Sequence, residues 1–335
     1  MAKIVGTTAI AALALLILSG CGGSGGGKLP NYTLTFRNST SDDVSAVDFL
    51  PSPANTVLTQ VSITTNLGGI YTFGGSSSTL PDPSGSGATV ITDVNASGKY
   101  VGYSLNGTAP RPVSGTGGTL AYDTTGITVV SGESTTFFGI NNSGTVVGFQ
   151  PSSTQPIFRR SSTNVVTSYA MPTGETVSQI AGISANGTVM GRTTSAKAFV
   201  LTPTGEIILQ DAGFYSDSNA SNVAVGYDSS GPFKINLPNG VRQRLPLPPG
   251  GSNGIAFGIN DNGDIVGKYT LSGTDRPCIW YEDTGAFVDL SSKLTVPSGY
   301  TLLAATEINN NGDVLLSFRN TGTNVRTIGI LNPIP

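Results

Sequence analysis

Histidine is absent from all 335 residues. That excludes a Ser-His-Asp or Cys-His catalytic unit and any His-ligated metal site. Charge is scarce: 11% of residues are Asp, Glu, Lys or Arg, and the net charge is −3. Nucleic acid is therefore excluded as a partner, because neutralising phosphates needs clustered Lys and Arg. The WD dipeptide of some propeller blades and the Ser-x-Asp-x-Gly-x-Thr-Trp box of sialidases are missing too. What is abundant is glycine, 45 residues, among many Thr, Ser, Val, Ile and Asn. This is the composition of short strands joined by tight turns.

Lys3 and the amino terminus give a positive start, and Ile4 to Leu18 form an apolar core too short for a comfortable membrane span. Leu18-Ser19-Gly20-Cys21 resembles the lipobox of bacterial lipoproteins. The resemblance implies a signal peptide over 1–20 and a lipid on Cys21; an ordinary secretory signal is the alternative. Residues 21–31 then read as a Gly-rich tether to the membrane. In that family an Asp after the Cys often retains the protein at the inner membrane. Gly22 stands there instead, which implies an outer-membrane or cell-surface address. With Cys21 acylated, Cys278 has no partner and no internal disulfide forms.

From there a phrase recurs: VNASGKYVGY, GINNSGTVVGF, GISANGTVMGR, SNASNVAVGY, GINDNGDIVGKY and EINNNGDVLLSF. Taking Gly98, Gly144, Gly187, Asn222, Gly263 and Gly312 as anchors, the spacings are 46, 43, 35, 41 and 49. A period in the forties marks a repeat architecture. Each phrase is a hairpin, since Asn and Gly accept the positive φ of its turn. A second Gly follows four residues later, at 102, 148, 191, 226 and 267, where backbone or a bulky neighbour approaches closely. Between anchors lies a second hairpin, as in LAYDTTGITVV (120–130), AFVLTPTGEIIL (198–209) and CIWYEDTGAFVDL (278–290), with IYTFGGSSSTLP (70–81) a fainter copy. Two hairpins per period give four strands, the content of a β-propeller blade.

The paired phrases GINDNGDIVG and PCIWYEDTGAFVDL resemble the extracellular HAF repeat family of bacterial proteins, over roughly 68–318. The resemblance implies a propeller-like exported protein and no established activity. The fold class expected is all-β, one propeller over 32–335 of about 40-residue four-stranded repeats. Residues 28–335 accommodate about seven. With six anchors visible, a seventh blade would come from the two ends, 32–36 pairing with 326–331; this would also hide two edges. Six blades with an N-terminal appendage, and then a β-solenoid, are the alternatives.

Sites are harder to place. Asn260-Asp261-Asn262-Gly263-Asp264 lacks the spaced carboxylates and twelfth-position Glu of a calcium loop, and reads as turn chemistry. Glu282, Asp283 and Asp289 flank Trp280-Tyr281, as a glycoside hydrolase would need, but Glu282-Asp283 falls where other copies carry turn residues. Trp280, the single tryptophan, reads as packing. The residue after the recurrent Gly is Tyr103, Phe149, Arg192, Tyr227 and Lys268 in successive copies. That column lines one face or the channel mouth, or it covers the small Gly of a neighbour. The expected function is a lipid-anchored, extracytoplasmic binding or scaffold module. Its partners would be the membrane, through the lipid, and a polysaccharide or another surface protein; no metal or cofactor is expected. The rivals are a carboxylate-dependent enzyme acting on cell-surface polysaccharide and a purely structural surface-layer component. Acids converging at one face with a raised pKa would favour the enzyme; acids scattered over turns would favour binding.

Overall fold

In a computed structural model, residues 31–37, 44–61, 67–85, 87–105 and 109–334 are described; Cys21, the expected signal over 1–20 and the expected tether lie outside them, except Asn31, which begins a strand. The described chain folds into seven antiparallel four-stranded sheets, the blades of a β-propeller. Blades 1 to 6 span 44–80, 89–122, 136–169, 177–212, 214–244 and 251–289, with strands A to D in chain order from the axis outward. Blade 7 takes strands A to C from 300–308, 314–320 and 326–334, and its outer strand from Asn31–Phe36. Phe36 seals the joint by packing edge-on against Tyr300 and Phe318, at 4.6 and 4.9 Å between ring centres.

The two ends do pair, but they complete the blade built on the Gly312 anchor. The repeat without an anchor is instead the first, 44–80. Its A–B turn, Leu50-Pro51-Ser52-Pro53-Ala54-Asn55, lacks the Asn-x-x-Gly signature, although Asn55 keeps a φ of 58°. The six anchors themselves all have positive φ, from 61° at Asn222 to 89° at Gly187.

The recurrent Asn does two jobs. In blade 2, Asn95 Oδ1 accepts the backbone N–H groups of Ser97 and Lys99 and so closes its own turn. Its Nδ2 donates to the Asn141 carbonyl in blade 3, 3.3 Å away. Asn141 donates in turn to the Ser184 carbonyl, Asn219 to that of Asn260, and Asn260 to that of Asn309. A second layer runs outside it: Asn142, Asn222, Asp261 and Asn310 accept from the backbone N–H of Ala96, Asn186, Ala220 and Asp261 respectively. From blade 7, Asn332 donates to Asn55 of blade 1 and to Asp313. Blade 1 meets blade 2 differently, through the Gln60 amide on the Thr89 carbonyl and the Ile91 N–H.

The recurrent Gly answers a second constraint. Every A strand carries a β-bulge, with Val47, Thr92, Phe138, Ala181, Ser216, Phe257 or Thr306 as the extra residue. The Gly sits opposite. A Cβ at Gly102, Gly226 or Gly267 would lie about 2.0 Å from the A-strand carbonyl of Val90, Phe214 or Ile255, and at Gly148 and Gly191 it would strike the Phe158 and Phe199 rings. Apolar layers between blades supply the bulk of the core: Leu315, Ile328 and Ile330 of blade 7, for example, pack on Val44 and Val57 of blade 1. Each such side chain stabilises by about 1.5–3 kcal/mol.

Asn260 is 2% exposed and its side chain holds three bonds: Oδ1 accepts from the Asp264 N–H, and Nδ2 donates to the Asn309 carbonyl and the Asp264 carboxylate. Asn260→Ala is expected to cost about 2 kcal/mol in a denaturant titration, because buried partners lose their bonds. Asn262→Ala, on an exposed neighbour, should change stability by less than about 0.5 kcal/mol.

Candidate functional site

The A–B turns and the C–D turns share one face of the ring, and at its centre opens a cavity of about 520 Å³ lined by residues of all seven blades. Its position follows from the bulges. The residue after the bulge is displaced toward the axis, and it is Asp48, Asp93, Gly139, Gly182, Asp217, Gly258 and Glu307 in blades 1 to 7. Acids and glycines alone fill this one structural column. The glycines make room: a Cβ at Gly258 would lie 2.7 Å from Glu307 Oε1, and one at Gly139 would be 3.3 Å from Asp93 Oδ2. With Asp261 and Asp313 near the rim, the lining holds six carboxylates and no Lys or Arg among the described residues.

Each inner carboxylate is anchored by backbone. Asp93 accepts from Val94 N (2.7 Å) and from Ile140 N of the next blade (2.7 Å). Asp217 accepts from Ser218 N (2.6 Å) and from Ile259 N of the next blade (2.9 Å). Asp48 and Glu307 accept from the N–H of their own successors, Phe49 and Ile308. Half-exposed only along the cavity, the four lie deep in the ring. Burial pushes Asp93 up to about 7 against the pull of its two N–H donors, and Asp217 up to about 6. Burial also raises Asp48 and Glu307 well above the carboxylate range, and the charges of the other channel acids add to it. Four acids facing one channel, with no Lys or Arg among the described lining residues, share protons at neutral pH.

None of the four stood out in the sequence. Asp93 and Asp217 precede the recurrent Asn by two residues, where other copies read Gly-Ile-Asn, and Glu307 does the same. The signal was there: one repeat column in which some members are acidic and the rest are glycine. The acids that flank Trp280-Tyr281 lie outside this cavity, and Asp283 is exposed. Exposed Glu282 pairs with Lys234, and Asp289 is held below its usual range by Ser291, Arg276 and Tyr269, which outweigh its burial. Trp280 is 4% exposed and its Nε1 donates to the Pro246 carbonyl.

The column after the recurrent Gly sits on the B strands, toward the opposite face, and its members are half-buried. Tyr103 packs on Phe138 of the next blade at 6.1 Å. Phe149 joins the apolar layer toward blade 4. Lys268 pairs with Asp275 at 2.6 Å. Arg192 lies 3.8 Å over Phe214, and Tyr227 stacks on the same ring at 4.8 Å and 10°. The fold thus gathers Arg192 and Tyr227 around Phe214; Tyr103, Phe149 and Lys268 each meet a different neighbour.

No family model matches the chain, and no curated protein matches it. Among solved structures, the chain is similar to a streptogramin B lyase, with a TM-score of 0.56 and 13% identity, over 91% of this chain and 98% of that one. It is also similar to the β-propeller domain of the trilobed protease from Pyrococcus furiosus, with a TM-score of 0.53 and 9% identity, over 86% and 94%. The shared property is the β-propeller fold. That protease domain is described as an open velcro; here the ring is closed by pairing 31–36 with 326–334.

The channel acids set the pH dependence of stability. Between about pH 4 and 7 the folded protein keeps protons that unfolded carboxyls have released, so stability falls as pH rises through that window. Asp123 and Glu175 work the other way. Arg160 draws Asp123 down to about 2 despite its burial, and Lys197 draws Glu175 there, so their contribution is lost as pH falls below about 4. Thermal unfolding should therefore show a maximum near pH 4–5 and a decline toward pH 8, and Asp93→Asn should flatten that decline. A melting temperature that climbs steadily from pH 5 to 8 contradicts the assignment.

Proposed function

We propose that this propeller is a ligand-binding module, held outside the cytoplasm at a bacterial membrane by lipid on Cys21, and that its ligand inserts a cationic group into the channel mouth. The observation that carries this reading is the acidic lining: among the described residues, six carboxylates from five blades and no Lys or Arg. Phe49 and Phe138 line the same cavity, and an aromatic face beside carboxylates suits an ammonium or guanidinium group. The lipobox-like Leu18-Ser19-Gly20-Cys21 supports the anchor, and Gly22 supports an outer-membrane or surface address. An amine-bearing polysaccharide or a basic segment of another surface protein fits as the source of the cation.

Binding a cation here displaces the shared protons. Affinity therefore rises with pH between about 5 and 8, opposite in sign to stability. The test is calorimetric titration with 1,6-diaminohexane, and with adipate as the matched dianion. Binding of the diamine alone, tighter at pH 8 than at pH 5 and weakened about tenfold or more by Asp93→Asn plus Asp217→Asn, is expected. Equal binding of adipate, or an unchanged affinity in the double variant, refutes the cationic reading.

A second reading has its own support. A carboxyl at about 7 is poised for general acid–base chemistry at neutral pH, so a carboxylate enzyme acting on surface polysaccharide keeps a physical basis. It predicts turnover of such a substrate that Asp93→Asn abolishes while the fold is unchanged. The binding reading predicts retention of the polysaccharide without turnover.

A further inference from the structure

The six carboxylates at the mouth are not equivalent. Asp93 and Asp217 each have both oxygens held by backbone N–H groups. At the rim, Asp261 accepts from Ala220 N and Asn310 Nδ2, and Asp313 from Asn309 Nδ2 and Asn332 Nδ2, again one donor to each oxygen. Asp48 and Glu307 accept only at Oδ1 and Oε1, from Phe49 N at 2.6 Å and Ile308 N at 3.1 Å. Among the described residues, no donor is bonded to Asp48 Oδ2 or Glu307 Oε2, although both side chains line the cavity. The two stand on blades 1 and 7, which pack side by side. In a ring of seven, blade 4 lies across from that joint. Its lining residues, Ala181, Gly182, Ile183, Ala185 and Met190, are all apolar. The glycine column leaves its room there as well. A Cβ at Gly258 would strike Glu307 and one at Gly139 would crowd Ile183 N, but one at Gly182 would meet nothing within 4 Å.

We infer that the channel takes a primary ammonium on an unbranched apolar chain, the shape of a lysine side chain, with its nitrogen between Asp48 Oδ2 and Glu307 Oε2 and its chain laid toward blade 4. This rests on the cationic reading above and names the ligand class within it. Each of the two carboxyls offers a single free oxygen, so the planar fork of a guanidinium finds no bidentate partner. An ammonium carries three donors on one atom and meets single oxygens from separate side chains. Those bonds are charge-assisted, and they satisfy acceptors that are costly to leave unpaired deep in the ring. Asp93 and Asp217, already held on both oxygens, act on the cation through their charge. The chain contributes too, because each CH₂ moved from water onto blade 4 tightens binding by up to about fourfold. An amino sugar surrounds its nitrogen with hydroxyls, and these would lose water against Ala181, Ile183 and Met190 without gaining partners. A lysine-like chain therefore suits the site better than a sugar amine does.

The test is calorimetric titration of the purified full-length protein at neutral pH with n-hexylamine, methylamine, n-pentylguanidine and glucosamine. n-Hexylamine is expected to bind about tenfold or more tighter than methylamine and glucosamine, and severalfold tighter than n-pentylguanidine. Asp48→Asn and Glu307→Gln should each weaken n-hexylamine about tenfold, and more than Asp217→Asn does. Should a variant misfold, the four ligands on the unaltered protein still decide. Equal binding of n-hexylamine and methylamine removes the contact with blade 4, and glucosamine or n-pentylguanidine binding as tightly gives the site to another cation. Either result overturns the inference and leaves the cationic reading standing. A larger loss at Asp217→Asn than at Asp48→Asn and Glu307→Gln overturns the placement of the nitrogen. If none of the four ligands binds, the cationic reading fails and the inference fails with it.

Discussion

A single side-chain amide organises the ring. At the A–B turns of blades 2, 3, 5 and 6, Asn Oδ1 takes backbone N–H of its own turn while Nδ2 reaches the carbonyl of the next blade. A hairpin end has orphan backbone groups that must be satisfied, and Asn can do so with one half of its amide while the other half remains a donor. Asp or Ser could close the turn, but neither has an amide N–H to send across. That is why the phrase is rewritten in repeat after repeat, and why its loss in blade 1 brings a different joint, the Gln60 amide against blade 2.

The same geometry creates the site. Bulging each A strand before the turn tips one residue toward the axis, and seven such residues cannot all carry side chains. Three are glycine, at blades 3, 4 and 6, and four are acids. Burial favours the neutral carboxyl, and two aimed N–H groups favour the anion. At Asp93 burial wins by enough to bring the group to about 7. The channel is therefore costly to stability at neutral pH, which is the usual signature of groups retained for what they bind or do.

Much of the architecture was legible. Periodicity, positive-φ turns and the strand at each end led to seven blades and to a paired closure, because turn chemistry is local and is written in Asn and Gly. The first blade showed only its second hairpin, at 70–81; its A–B turn escaped because it uses Pro51 and Pro53 with Asn55 and shares no residue pattern with the others. The site was far less legible. Asp48, Asp93, Asp217 and Glu307 carry no local motif; their mark is a repeat column shared with Gly139, Gly182 and Gly258. Only ring closure, which brings positions separated by up to 259 residues to one axis, shows that they converge. The column that did stand out, from Tyr103 to Lys268, reflects the same bulge seen from the B strand, one place past the glycine that accommodates it.

The central claim is that the axis holds carboxyls kept from ionising at ordinary carboxylate pH. Carbon-detected NMR titration of side-chain carboxyls, with Asp93→Asn and Asp217→Asn to assign the two resonances, tests it directly. The account predicts that Asp93 titrates near 7 and Asp217 near 6, and that saturating amine lowers both. If both resonances titrate below about 4.5, within the ordinary range of an exposed carboxylate, the channel is an open hydrated passage and the account of the site fails.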